Sequence, residues 1–94
     1  MFDTKHYMTC GVQESIPFEL QLFMWALIDK MPEPKDFLQV FRLTADNGKQ
    51  RVYHESEQPE YHMEYEINIV NPVTAKVYVI DDKTHRTMLL AEEY

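Results

Sequence analysis

The stretch from Pro17 to Met31 constrains the fold more than any other part of the chain, because it is the one segment with a long helical pattern. Pro17 suits the first position of a helix, where its missing N–H costs nothing, and this placement makes Ile16 the cap. Ser15 is the better capping residue by type, so the helix start has one alternative. Glu19 falls in the first turn, where its charge favours the positive end of the helix, and the two prolines that follow end the helix. The rest of the chain must therefore be organised around one helix.

This helix is apolar on two sides. Phe18, Leu22 and Trp25 lie at positions i, i+4 and i+7 and form one continuous stripe, which we call the apolar ridge. Each large apolar side chain left in water forfeits about 1.5–3 kcal/mol, so the ridge needs a cover. We expect a homodimer to provide it. The alternative is that residues 1–7, the loop at residues 31–36 or the C-terminal tail folds over the ridge. The stripe on the other side of the helix consists of Leu20, Met24, Leu27 and Met31.

Most of the remaining chain has the patterns of strands. Asn47-Gly48 between two strand-like runs is the strongest local signal, and it predicts a hairpin. Short connections make strands that follow each other in sequence antiparallel neighbours. The predicted fold class is therefore α+β, with one main helix packed on a mostly antiparallel sheet of about five to six strands, in two layers and as a single domain over residues 1–94. The predicted strands are a short one that ends near Gly11, then residues 36–45, 49–55, 61–70, 75–81 and 86–90.

The strand at residues 36–45 has apolar side chains on both faces. Phe41 and Leu43 point one way, while Leu38 and Val40 point the other way. This pattern predicts a central strand, or a strand whose outer face is covered.

Net charge and cysteine content restrict the cellular compartment and the classes of partner that we expect for this chain. The formal net charge is −7, which opposes binding to nucleic acid or to an anionic membrane. Such a charge serves solubility in most small acidic proteins, and the alternative is that it attracts a basic protein partner. The single cysteine, Cys10, cannot form an internal disulfide, and no charged-then-apolar leader precedes it. We therefore expect a cytoplasmic protein that binds neither nucleic acid nor membrane.

The sequence contains no constellation typical of catalysis. Its four histidines are not paired at metal-ligand spacing, and its two glycines cannot form a phosphate-binding loop, so we expect no metal and no cofactor. Tyrosines on adjacent strands could stack nucleic-acid bases, but the strand at residues 61–70 carries glutamates where basic residues would be needed. These features favour a non-enzymatic protein-interaction or regulatory module. The alternative is a small-molecule-binding or enzymatic domain, with a pocket between helix and sheet lined by Trp25, tyrosines and a histidine.

Several short stretches spread over nearly the whole chain carry a family resemblance. They are Ile16-Pro17, Glu19-Leu20-Gln21, Trp25, Leu27-Ile28-Asp29, residues 37–41, residues 79–82, residues 87–90 and Glu93-Tyr94. In these stretches the chain resembles the small bacterial proteins grouped as domain of unknown function 960, which are typical of Firmicutes. The resemblance implies a cytosolic bacterial protein, and it implies no activity and no functional residues.

Overall fold

The computed structural model describes residues 5–94 and contains six strands, two α-helices and a terminal 3-10 turn. The helices and strands follow the chain in the order β1 (Lys5–Met8), α1 (Cys10–Ser15), α2 (Phe18–Asp29), β2 (Leu38–Asp46), β3 (Lys49–Glu57), β4 (Glu60–Ile67), β5 (Ala75–Asp81), β6 (His85–Leu90) and the 3-10 turn (Ala91–Glu93).

The short helix α1 was not predicted from the sequence. The Thr9 hydroxyl caps it by accepting a hydrogen bond from the backbone N–H of Val12. The Glu93 carboxylate, from the far end of the chain, accepts hydrogen bonds from the Thr9 hydroxyl and from the backbone N–H of Gly11. A Cβ added to Gly11 would lie 2.5 Å from a Glu93 carboxylate oxygen, so glycine permits this close approach. The helix thus depends on a contact that spans nearly the whole sequence.

The main helix α2 begins one residue later than predicted. Pro17 has an extended backbone (φ −55°, ψ 143°) and is itself the N-cap, whereas Ile16 is the C-cap of α1. Glu19 lies in the first turn, as the sequence predicts. The two helices therefore follow each other almost without a linker.

Two tight hairpins build one half of the sheet, from β2 to the edge strand β4. Asn47 (φ 53°) and Gly48 (φ 78°) both have positive φ, as a two-residue hairpin turn requires, and this confirms the predicted hairpin. The next turn contains only Gln58 and Pro59, so β3 and β4 extend further towards it than the predicted strands at residues 49–55 and 61–70 do.

The six strands form one mixed sheet in the order β1-β6-β5-β2-β3-β4. The edge strand β1 runs parallel to β6, and the four other pairings in the sheet are antiparallel. An α+β chain is thus correct at the level of its elements. Strand is the dominant element, however, and the predicted layout, which is organised around one main helix, omits α1 and gives the sheet too little weight. Short connections constrain only strands that are consecutive in sequence, and β1 and β6 come from opposite ends of the chain.

One hydrophobic core joins α1, α2 and one face of the sheet. Val12 and Ile16 bring α1 and the link between the helices into it. On the sheet, the buried residues of this core come from four strands, β2, β3, β5 and β6. The core cluster is completed by Leu20, Met24, Trp25, Leu27, Ile28, Phe41, Leu43, Val52, Val77, Val79, Met88 and Leu90. No helix in the described part of the chain is long and apolar enough to cross a membrane.

Candidate functional site

The face of the sheet opposite the core is what we call the open face. Residues paired across antiparallel strands share a face, so the register defines its members. Val40 pairs with Tyr78 on one side and with Glu55 on the other, and Glu55 pairs in turn with His62. Val40, Tyr78 and Glu55 are partly buried, and His62 is exposed. Along this row the open face thus changes from apolar side chains at β5 and β2 to polar ones at β3 and β4.

Two adjoining grooves on this face form what we call the trough. The first encloses about 520 Å³ and the second about 300 Å³, and both are lined by Glu55, Ser56 and Glu57. The strands from β5 to β4 span three strand spacings, or roughly 14 Å. The trough therefore crosses the strands and connects the apolar half of the open face with its acidic half.

The apolar end of the trough lies on β2 and β5. Leu38, Val40 and Tyr78 line it, and Phe37 beside them is 64% exposed. The Lys76 ammonium lies 5.4 Å from the centre of the Tyr78 ring, a cation–π contact at the border of this end. A large exposed phenyl ring next to partly buried apolar residues is typical of a surface that binds a partner.

A partly buried carboxylate, that of Asp36, lines the first groove. Asp36 accepts hydrogen bonds from the backbone N–H groups of Leu38, Glu57 and Gln58, at 3.1, 3.2 and 2.9 Å. Burial raises the pKa of the Asp36 carboxyl, but these backbone N–H groups together outweigh burial and hold the pKa below its usual value. Asp36 therefore stays ionised and ties the start of β2 to the β3–β4 turn.

The acidic end of the trough contains two carboxylates that face each other. Glu57 and Glu60 are directly paired residues of β3 and β4, and both are exposed. Like charges directly opposite in a sheet are destabilising. Neither forms an ion pair with another residue between 5 and 94, whereas Glu55 binds Arg42 at 2.8 Å. A cationic group placed between Glu57 and Glu60 would relieve this repulsion.

The structure separates the three residues of the apolar ridge. Phe18 is 66% and Leu22 52% exposed on α2, while Trp25 is only 7% exposed. The indole of Trp25 stacks on the His6 ring, with centroids 4.1 Å apart and an angle of 8° between the planes. The segment that leads into α1 thus covers Trp25, and the uncovered part of the ridge consists of Phe18 and Leu22.

A buried polar pair lies on the core side of the sheet and was not singled out from the sequence. His54 is fully buried, and its Nε2 lies 2.7 Å from the Gln39 side-chain oxygen. Burial lowers the pKa of His54 to about 4, so the ring is neutral at physiological pH. Its Nδ1 has no hydrogen-bond partner within residues 5–94. A histidine sealed from solvent in this way is a structural group and has no access to a substrate.

Groups that could support metal or thiol chemistry are not brought together. Among residues 5–94, no cluster of three or more His, Cys, Asp or Glu side chains is arranged to hold a metal ion. Cys10 is exposed at the start of α1, and His6 is engaged with Trp25.

The trough itself was missed at the sequence level, although one signal pointed to it. Leu38 and Val40 give the second face of β2 an apolar character, and the sequence pattern allowed a covered outer face as one explanation. The structure places β2 at the centre of the sheet, and only the partly buried side chains of Tyr78 and Glu55 flank Val40 on the open face. An apolar second face on a central strand was thus the available sign of the trough.

Comparison with known proteins places the chain in one family. A solved structure described as a protein of unknown function from Enterococcus faecalis is similar to it with a TM-score of 0.85 and 26% sequence identity, covering 100% of this chain and 98% of the other. No curated protein is significantly similar. The model of the family described as staphylococcal protein of unknown function (DUF960) matches residues 5–93. The chain therefore belongs to the DUF960 family.

Proposed function

We propose that this chain is a non-enzymatic protein-interaction module of the bacterial cytoplasm and that the open face is its binding surface. The observation that carries the proposal is the trough, which combines an apolar floor with charged walls on the face of the sheet opposite the core. The proposal treats α2 and the sheet as two layers, with α2 over the buried face. The core cluster shared by α2 and four strands supports that arrangement. A reducing compartment suits a chain whose single cysteine, Cys10, is exposed.

A polypeptide fits this surface better than a small molecule does. Pockets for small ligands enclose most of the ligand surface, and the site predicted for one lay between helix and sheet around Trp25. That region is filled by the core cluster, to which Trp25 belongs. The trough instead lies along the surface of the sheet and ends beside the exposed Phe37. A chain segment laid across the strands could contact it along its whole length.

Selection from a displayed library of random peptides tests the proposal. We expect the wild-type protein to enrich a defined set of peptides, and we expect Phe37→Asp to lose them. Leu22→Asp is the matched control, because Leu22 is also an exposed apolar residue but lies on α2. Both substitutions add the same charge to the surface, so only the location differs.

Two results would contradict the proposal. In one, the enriched peptides depend on Leu22 and tolerate Phe37→Asp, which would move the binding surface to α2. In the other, no peptide is enriched, while a cellular metabolite raises the melting temperature by several degrees and Phe37→Asp abolishes the increase. That second result would favour the small-molecule hypothesis.

The exposed part of the apolar ridge supports a second candidate function, self-association. Phe18 and Leu22 lie one turn apart on α2 and are more than half exposed. Two-fold pairing of α2 with its copy would bury both side chains in both subunits. Trp25 would support such an interface from within the core and would not contact the partner directly.

Light scattering at increasing protein concentration tests self-association. We expect a dimer for the wild-type protein and a folded monomer for Leu22→Asp, since a charge at the centre of an apolar contact opposes pairing. Glu19→Gln, a mild change on the same helix, should remain dimeric. A wild-type protein that stays monomeric at millimolar concentration would show that the ridge is not a dimer interface.

A further inference from the structure

We infer that the trough binds a protein segment in which a basic residue lies a few positions from a large apolar residue. This inference rests on the proposed function and specifies the chemistry of the partner. The apolar residue would occupy the end formed by Leu38, Val40 and Tyr78. The basic residue would lie between Glu57 and Glu60.

The length of the trough sets the spacing within the partner. An extended chain advances about 3.3 Å per residue, and the trough spans roughly 14 Å from β5 to β4. About four residues therefore separate the apolar side chain from the basic one. A helical segment with these side chains on one face would need about three turns, because it rises only about 1.5 Å per residue.

The charge distribution determines which end of the partner is basic. At the apolar end the cations Arg42 and Lys76 are already present, and Arg42 is paired with Glu55. At the other end, Glu57 and Glu60 repel each other across the β3–β4 pair and have no cationic partner among the described residues. A lysine or arginine there would convert a repulsion between two carboxylates into two attractions. A basic residue at the apolar end would instead meet two existing cations.

Charge also disfavours a second copy of this chain as the occupant. Each copy has a formal net charge of −7, and β4, which borders the trough, carries Glu60, Glu64 and Glu66. Pairing open face to open face would bring two acidic surfaces together, at a cost that grows as the salt concentration falls. A basic segment of another protein gains from the same field.

Fluorescence anisotropy with three labelled synthetic peptides tests the inference. The first peptide carries two lysines and, after about four positions, a tryptophan and a leucine. The second has glutamates in place of the lysines, and the third has serines in place of the tryptophan and the leucine. We expect the first peptide to bind, with an affinity that falls as salt is added, and the second and third to bind at least about tenfold more weakly.

Charge reversal in the protein locates the cation site. We expect Glu57→Lys combined with Glu60→Lys to weaken binding of the first peptide by at least about tenfold at low salt. Glu14→Lys combined with Glu19→Lys is the matched control, since it changes the net charge equally on exposed positions of α1 and α2. If the control pair weakens binding as much, the attraction is a general effect of net charge and the inference is wrong.

The same peptides separate failure of the inference from failure of the proposed function. If the acidic peptide binds as well as the basic one and Phe37→Asp abolishes its binding, the open face binds protein segments but does not select basic ones. In that case the inference is overturned and the proposed function stands. If neither charged peptide binds and display selection also yields nothing that depends on Phe37, both are overturned.

Discussion

His54 shows how a single side chain links the burial of the core to pH. The ring stacks on Phe41 at 4.3 Å between centroids and meets the edge of Tyr61, and its Nε2 faces the Gln39 oxygen. The Gln39 amide in turn donates to the backbone carbonyl of Asp36, which orients its oxygen towards the histidine. The ring is therefore held as the neutral form with its proton on Nε2.

Stability should fall when the pH is lowered from about 7 to about 5. The pKa of His54 is about 4 in the folded protein and about 6.5 in the unfolded chain, so the unfolded state binds more protons between these values. The contribution of His54 is fully present above pH 6.5 and is lost as the pH falls towards 4. This group alone accounts for a loss of about 2 kcal/mol in the free energy of unfolding between pH 7 and 5, measurable by urea titration.

A paired substitution isolates this effect. Gln39→Met combined with His54→Phe removes the titrating ring and its hydrogen-bond partner together. The double substitution therefore leaves no buried polar group of this pair without its partner. We expect the loss between pH 7 and 5 to shrink by about 2 kcal/mol in this variant and to persist in His62→Asn, where the ring is exposed. Equal losses in the wild type and the paired variant would mean that His54 does not become buried as a neutral ring.

At the scale of elements, the sequence predicted those strands and turns whose conformation is determined by residues close together in the chain. Asn47 and Gly48 supply the positive φ angles of the β2–β3 turn by themselves, and the alternation from Tyr61 to Ile67 follows from one face being partly buried. The β2–β3 hairpin and the alternating pattern of β4 could therefore be predicted from the sequence.

Elements that depend on distant residues could not be predicted in the same way. The helix α1 is capped by Thr9, whose hydroxyl is bound by Glu93 from the end of the chain, and β1 pairs with β6 over a similar separation. The trough likewise depends on residues that are far apart in the sequence. It requires Tyr78 to lie beside Val40 and Glu55 beside His62, and those neighbours are fixed only by the order and register of four strands.

At the scale of the whole molecule, the two faces of the sheet differ in their role. One face joins α1 and α2 in the hydrophobic core, and the opposite face carries the trough. The position of β2 in the middle of the sheet explains why its residues are apolar on both sides, because Phe41 and Leu43 belong to the core and Leu38 and Val40 to the trough. Under the proposed function, stability and binding thus belong to opposite faces of the same strands.

The most direct measurement is a map of backbone amide chemical shifts as the isotope-labelled protein is titrated with the peptide most enriched by display selection. The account predicts that the largest changes fall in residues 37–42, 55–60 and 76–80, which contain most of the residues that line the trough. It also predicts that α2 (Phe18–Asp29) changes little. Largest changes within α2, with the trough unaffected, would contradict the assignment of the open face as the binding surface.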